Sequence, residues 1–143
     1  MKVVHNIGVE AFLYPTEDFK KVKKALDLVL PAKAKLKKEE VDSYYGPAIV
    51  KLTYTADSAD EIKMVLERMI AGLSKEDRRE IVNSLDKRLD EDGNLFIRFD
   101  KQAAYDGRLA LHYNGDVIKT RIKIASYPAT MKNLKYNAQI LFE

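Results

Sequence analysis

Cysteine is absent from the chain, which excludes both a disulfide framework and a thiolate metal site. Only two histidines, His5 and His112, remain as soft metal ligands, so zinc chemistry has little to stand on. No window approaches the roughly 20 apolar residues that cross a bilayer. The opening stretch MKVVHNIGVEAFLYP is interrupted by Lys, His, Asn, Gly and Glu, which breaks the apolar core that a signal peptide requires. These absences lead to the expectation of a soluble, unprocessed cytoplasmic protein with no cofactor, metal or membrane partner.

What is present is 143 residues, a length that suits one domain, residues 1–143, around one core. The net charge is only +3, but it is unevenly spread: residues 101–143 carry 7 Lys/Arg against 3 Asp/Glu, whereas 51–100 carry 9 against 12. That asymmetry favours an anionic partner, and a Lys/Glu-rich surface suited to high temperature accounts for it equally well.

Hydrophobic alternation over Val3–Tyr14 predicts a half-buried strand, with Val3, His5, Ile7, Val9, Ala11 and Leu13 on the apolar side. His5 is expected there as a hydrogen-bonded core residue. Pro15 ends the strand, and Thr16 is placed to cap a helix whose stripe is Phe19, Val22, Leu26, Val29 and Leu30, ending at Pro31. Lys20, Lys21, Lys23 and Lys24 lie mostly off that stripe. Residues 41–47 (Val-Asp-Ser-Tyr-Tyr-Gly-Pro) read as an edge strand running into a turn, and Ala48–Thr55 as a clear strand.

Ser58-Ala-Asp-Glu61 is a capping box that opens a helix with Ile62, Val65, Leu66, Met69 and Ile70 inward and a stop near Gly72. A second helix begins at Ser74, with Ile81, Val82, Leu85 and Leu89 inward and Arg78, Arg79, Lys87 and Arg88 exposed. Asp90-Glu-Asp-Gly-Asn94 admits a magnesium reading, but the alternating ligand register of a calcium loop is missing, and a tight turn explains the composition better. The carboxy-terminal segment Thr130–Phe142 forms an amphipathic helix with Met131, Leu134, Ala138 and Leu141 on one stripe.

Between these lie the residues of functional interest. Leu95–Asp100 alternates, with Leu95, Ile97 and Phe99 opposing Phe96, Arg98 and Asp100. After the link Lys101–Gly107 comes Arg108–Tyr113, then Asn114-Gly115, then a strand from Asp116. An Asn-Gly pair between alternating runs is a strong hairpin signal. A two-residue turn there pairs Tyr113 with Asp116, Leu111 with Ile118, Ala110 with Lys119, and Arg108 with Arg121. That register collects Arg108, His112, Lys119, Arg121 and Lys123 on one face. Like charges directly opposite are unfavourable unless an anion lies over them. Asp100 or Asp106 could supply it from within, and a nucleic-acid phosphate from without. For a ligand on this face, Lys101 would add charge, Gln102 a bidentate amide and Tyr105 an aromatic plane. The same link also reads as a short helical turn with its alanines and tyrosine packed on the core.

The order of elements, with an antiparallel end, gives an α+β domain: a mainly antiparallel sheet with helices packed on one face. The run from Asp90 through Arg98-Phe-Asp-Lys-Gln-Ala-Ala-Tyr105-Asp-Gly107, followed by the Asn-Gly segment, resembles the archaeal RNA-binding domain family known as predicted exosome subunits. Tyr44-Tyr45-Gly46-Pro47 and the opening strand with its histidine agree. The resemblance implies a fold similar to that of the fifth protein of the large ribosomal subunit. It also implies a cytoplasmic, non-catalytic RNA-binding protein associated with the exosome or with ribosome assembly. The residues expected to meet RNA are Arg98, Lys101, Gln102, Tyr105, Arg108, Lys119, Arg121 and Lys123. Two alternatives carry different tests: a protein-interaction or assembly factor, in which a homodimer is one option, and a metal-dependent phosphodiesterase gathering magnesium at Asp90, Asp92 and Asp100.

Overall fold

Period-two apolar residues give the long strands β1 (Val4–Leu13), β3 (Ile49–Ala56), β4 (Asn94–Asp100) and β5 (Val117–Ile124), and in each the apolar set is buried. The computed structural model describes residues 3–41, 46–112 and 115–143. A short edge strand, β2 (Lys37–Val41), completes one antiparallel sheet in the order β2-β3-β1-β5-β4. One face carries Ile7, Val9, Ala11, Leu52, Tyr54, Leu95, Ile97, Phe99, Ile118, Ile122 and Ile124 into the core. The helices cover that face, as expected for the α+β class, and the other face is left open.

Helix α1 (Phe19–Leu26) buries Val22, Ala25 and Leu26, and the chain then coils through buried Val29 and Leu30 to Pro31. Its cap is Asp18, whose carboxylate accepts from the Lys20 amide, and not Thr16; the helix therefore starts two residues later than the capping pattern suggested. Ser58 caps α2 (Ala59–Gly72) and Ser74 caps α3 (Lys75–Asn83), as the sequence implied. At Gly72 the helix end meets Leu109, whose Cδ1 would lie 2.7 Å from any added Cβ, so a glycine is required for this approach.

The helix after Ser74 breaks at Ser84, whose hydroxyl donates to the Glu80 carbonyl at 2.6 Å, and resumes as the single turn α4 (Leu85–Arg88). The break turns Arg88 inward, contrary to its expected exposure: its Nε donates to Ser84 Oγ at 2.7 Å and the residue is buried. The turn reading of Asp90–Asn94 is the one seen. Asp90 Oδ1 accepts from the Asp92 and Asn94 amides at 3.0 and 2.9 Å, and Gly93 has φ +87°. Burial of Asp90 is more than offset by these amides, which hold its carboxyl below the ordinary value.

Three expectations about strands need correction. The pairing of Val4 with Ile124 and Asn6 with Lys123 leaves His5 as the extra residue of a bulge, so Val4 is buried and His5 is exposed. The edge strand begins at Lys37, four residues before the expected start, and is described to Val41; residues 42–45, with Tyr44 and Tyr45 singled out in the sequence, lie outside the described residues. Third, β5 does not pair with Arg108–His112. Its neighbours are β1 and β4, with Arg121 opposite Gly8 and Phe96, and Lys119 opposite Glu10 and Arg98.

Segment 108–112 instead runs along the outer side of β4. The Asp100 amide donates to Ala110 O at 2.8 Å and the His112 amide to Arg98 O at 2.9 Å. Phe99 and Leu111 form a bridge. The reason is competition for one partner: β4 offers seven paired residues with three fully buried side chains, and the shorter 108–112 segment cannot displace it. The proposed turn at Asn114 falls outside the described residues. Last, α6 (Met131–Phe142), capped by Thr130, buries Leu134, Asn137, Ala138 and Phe142 over the sheet end, leaving Met131 exposed.

Candidate nucleic-acid interface

Because side chains directly opposite one another across antiparallel strands share a face, the registers fix the layout of the open surface. From β2 to β4 one row reads Lys37, Thr53, Glu10, Lys119, Arg98. The next reads Thr55, Gly8, Arg121, Phe96, and a third joins Asn6, Lys123 and Asn94. With Lys51 and Glu39 from the row beyond, and Asp100 on β4, six cations share this face with three carboxylates. Of the five residues expected together on the basic face, Lys119, Arg121 and Lys123 share this open surface. They are joined by Arg98, whose place opposite Lys119 makes a like-charge pair in place of the expected Arg108 with Arg121.

The cations divide by how they are held. Lys51 Nζ pairs with Glu10 Oε1 at 3.1 Å, and that hydrogen bond raises the lysine pKa. Lys119 Nζ stands 5.1 Å from the centroid of the Phe96 ring, a contact worth about 0.5–1 kcal/mol at an accessible site. Arg121 donates to Asn94 Oδ1 at 3.2 Å, and Lys123 donates to the Asp92 carbonyl. Neither of those acceptors is a carboxylate. The Arg98 guanidinium has no ion-pair or hydrogen-bond partner among the described residues.

Gly8 shapes the middle of the face. A Cβ there would meet Arg121 Nη2 at 3.1 Å and Nε at 3.5 Å, so the guanidinium lies down on the β1 backbone where any other residue would stand. A depression of about 210 Å³ lies beside it, lined by Gly8, Glu10, Lys51, Thr53, Thr55, Phe96, Lys119 and Arg121.

The other expected RNA contacts lie elsewhere. Asp100 caps α5 (Lys101–Tyr105), its carboxylate accepting from the Gln102 and Ala103 amides, and Ala103 and Ala104 are buried. The packed-turn reading of the link is the one adopted. Lys101 is completely buried: its Nζ donates to Phe12 O at 2.6 Å and Glu17 Oε1 at 2.7 Å and contacts Asp116 Oδ2 at 3.1 Å. With all three donors engaged inside the protein, it cannot meet a ligand, and the expectation that it adds charge to the RNA face is corrected. Tyr105 donates its hydroxyl to Glu17 Oε2.

Burial alone would push the Glu17 carboxyl up, but the bonds from Lys101, Tyr105 and the Tyr14 amide prevail and hold it below the ordinary value. Burial first, and then the bond to Glu17, pushes the Tyr105 phenol well above its usual range. Gln102 is exposed and lines a cleft with Thr16, Lys21 and Lys24 of the α1 region. Arg108 is exposed just after Gly107, its amide donating to the Ala103 carbonyl at 3.0 Å, and it belongs to none of the paired strand rows. The structure thus brings Arg98, Lys119, Arg121 and Lys123 together and separates Lys101, Gln102, Tyr105 and Arg108 from them. Gly8, Glu10, Phe96 and the two threonines were not anticipated. Only the alternation of β1, β3 and β4 signalled the polar face on which they stand.

A family model described as RNA binding matches residues 6–124. The chain is 35% identical over 129 residues to the RNA-binding protein PAB1135 of Pyrococcus abyssi, covering 87% of this chain and 84% of that protein. Among solved structures it is similar to AF2318 from Archaeglobus fulgidus, with 29% identity, a TM-score of 0.87, and coverage of 96% and 99% of the two chains. It is also similar to Mth689 from Methanothermobacter thermautotrophicus, with 32% identity, a TM-score of 0.83 and coverage of 99% and 100%.

Proposed function

The chain belongs to the RNA-binding family whose model spans residues 6–124, and from that premise we propose a cytoplasmic, non-catalytic protein that seats RNA phosphates on the open face of its sheet. The observation that carries this reading is the cluster of Arg98, Lys119, Arg121 and Lys123. These four cations are on adjacent rows, and no carboxylate pairs with any of them among the described residues. A surface arranged that way leaves these cations without a direct carboxylate partner, and a phosphodiester backbone supplies the missing negative charge. Participation in RNA processing with the exosome, or in ribosome assembly, follows from the resemblance to the predicted exosome subunits and to the fifth large-subunit ribosomal protein.

The acids once considered for magnesium have local work. Asp90 holds its turn and Asp100 caps α5 while standing 3.7 Å from His112. The test is an anisotropy titration of labelled single-stranded RNA at two salt concentrations. Neutralising four phosphates gives a slope near −3 in log K against log salt, so raising monovalent salt from about 50 to 200 mM should weaken binding about fifty-fold. Salt-insensitive binding, or none at micromolar protein, removes the proposal.

A second reading, docking of a protein partner, is favoured by the apolar groove of about 650 Å³ that Val3, Ile62, Leu66, Ile70 and Leu141 line between α2 and α6. Light scattering of the purified protein, followed by pull-down, separates that activity from free RNA binding.

A further inference from the structure

Building on that proposed RNA face, we infer that the depression over Gly8 receives one unpaired nucleobase, guanine in preference to the others, while the phosphates run along the rim of Arg98, Lys119 and Lys123. Three observations converge on this. The first is shape: a depression of about 210 Å³ lies on the open face beside the Arg121 guanidinium, which the absence of a side chain at position 8 lets settle against β1.

The second is the chemistry of its surfaces. The Arg121 guanidinium rests against the β1 backbone at Gly8, and Phe96 is its direct cross-strand neighbour, so a guanidinium and an aromatic ring belong to one row. Splayed-out bases of single-stranded RNA stack on these two kinds of surface. A paired base, with both faces covered by its neighbours, cannot use them.

The third is the carboxylate. Glu10 borders the depression, and only its Oε1 is engaged, by Lys51 at 3.1 Å; Oε2 has no partner among the described residues. A carboxylate repels a phosphate, so this is the wrong place for the backbone itself. It is well suited to the Watson–Crick edge of guanine, where N1–H and the N2 amine present two donors side by side to one acidic group. Uracil presents one ring N–H, and adenine and cytosine one amino group each, so each matches half of that arrangement. The Thr53 and Thr55 hydroxyls on the β3 side can accept or donate to the remaining edge or to a ribose 2′-hydroxyl.

The experiment compares three labelled RNAs at one fixed low salt: a uridine 10-mer, the same 10-mer with one central guanosine, and a hairpin that holds that guanosine in a base pair. The guanosine-bearing single strand should bind on the order of tenfold tighter than either competitor. Glu10→Gln should erase the difference between the two single strands while raising the affinity for both, because a negative charge leaves the face. Gly8→Val should push the Arg121 guanidinium off β1 and erase the guanosine preference, while binding to all three RNAs stays salt-sensitive through Arg98, Lys119 and Lys123. The neighbour it meets is the far end of the flexible Arg121 side chain, and a melting curve checks that the variant is folded.

Equal affinities for the three RNAs in the wild type, or a guanosine preference that survives Glu10→Gln, overturns the inference while leaving RNA binding by the face intact. Absence of salt-sensitive binding to every RNA overturns both.

Discussion

Lys101 offers a stringent test of how the fold is held. The side chain is wholly excluded from solvent and bound to one carbonyl and two carboxylates, tying β1, the loop before α1, α5 and the start of β5 to one point. Replacing it by methionine keeps the volume and removes the charge. Glu17, with its side chain 16% exposed, then loses its counter-ion, as does Asp116, 32% exposed. Removing one member of a buried ion pair costs about 3–5 kcal/mol, since a charge is left without compensation. Water can reach Asp116, which places this case at the lower end, about 3 kcal/mol. With an unfolding entropy of about 2.1 cal/mol/K per residue, a chain of this length carries about 0.3 kcal/mol/K, so Tm should fall by about 10 °C.

Urea unfolding by circular dichroism and calorimetry measure the two quantities. Adding Glu17→Gln to Lys101→Met should recover part of the loss, because the orphaned charge is gone. A loss below about 1 kcal/mol, or no recovery in the double variant, refutes the account. An undiminished Tm with weakened RNA binding would return Lys101 to the ligand.

Glu17 also sets a pH dependence. Its folded pKa is held below the ordinary value of 4.5, so its stabilisation is present above that value and disappears as pH falls through the lowered one. Glu17→Gln should flatten the acid limb of stability against pH, as followed by urea midpoints between about pH 3 and pH 7; an unchanged limb counts against the assignment. Charge reversal at Arg98 and Arg121 should weaken RNA binding on the order of a hundredfold, against less than about threefold for Lys20 and Lys24; equal effects move the interface to α1. At Gly93, with φ +87° and the Ile124 carbonyl 3.2 Å from any added Cβ, alanine should destabilise by about 1–3 kcal/mol in a urea melt, and a neutral outcome contradicts the strained geometry.

Local pattern carried much of this structure. The alternation in β1, β3, β4 and β5 and the Ser58 and Ser74 caps depend on neighbours within a few positions, and they were legible for that reason. Partner choice was not. Nothing near Asn114 reveals that β4, about twenty residues earlier, will occupy the side of β5 that the hairpin needed. His5 was misplaced because an added residue in β1 is visible only against its partner strand.

The candidate site shows the same division. Lys119, Arg121 and Lys123 were legible from period two, whereas Lys101 looked like a surface cation because its carboxylate partners sit 84 and 15 residues away. Gly8 resembled an ordinary interruption of a strand until Arg121 was seen resting on it.

The sheet order carries a consequence for how the protein is made. β1 is central in space and first in the chain, flanked by β3 on one side and by β5 on the other. As the polypeptide leaves the ribosome, β3 reaches β1 early, but the opposite edge must wait for Ile118–Ile124, more than a hundred residues later. Until then the middle of the sheet is a bare edge with half of its backbone groups unpaired. Closing so long a loop is slow, so the sheet is completed only once β5 is in place.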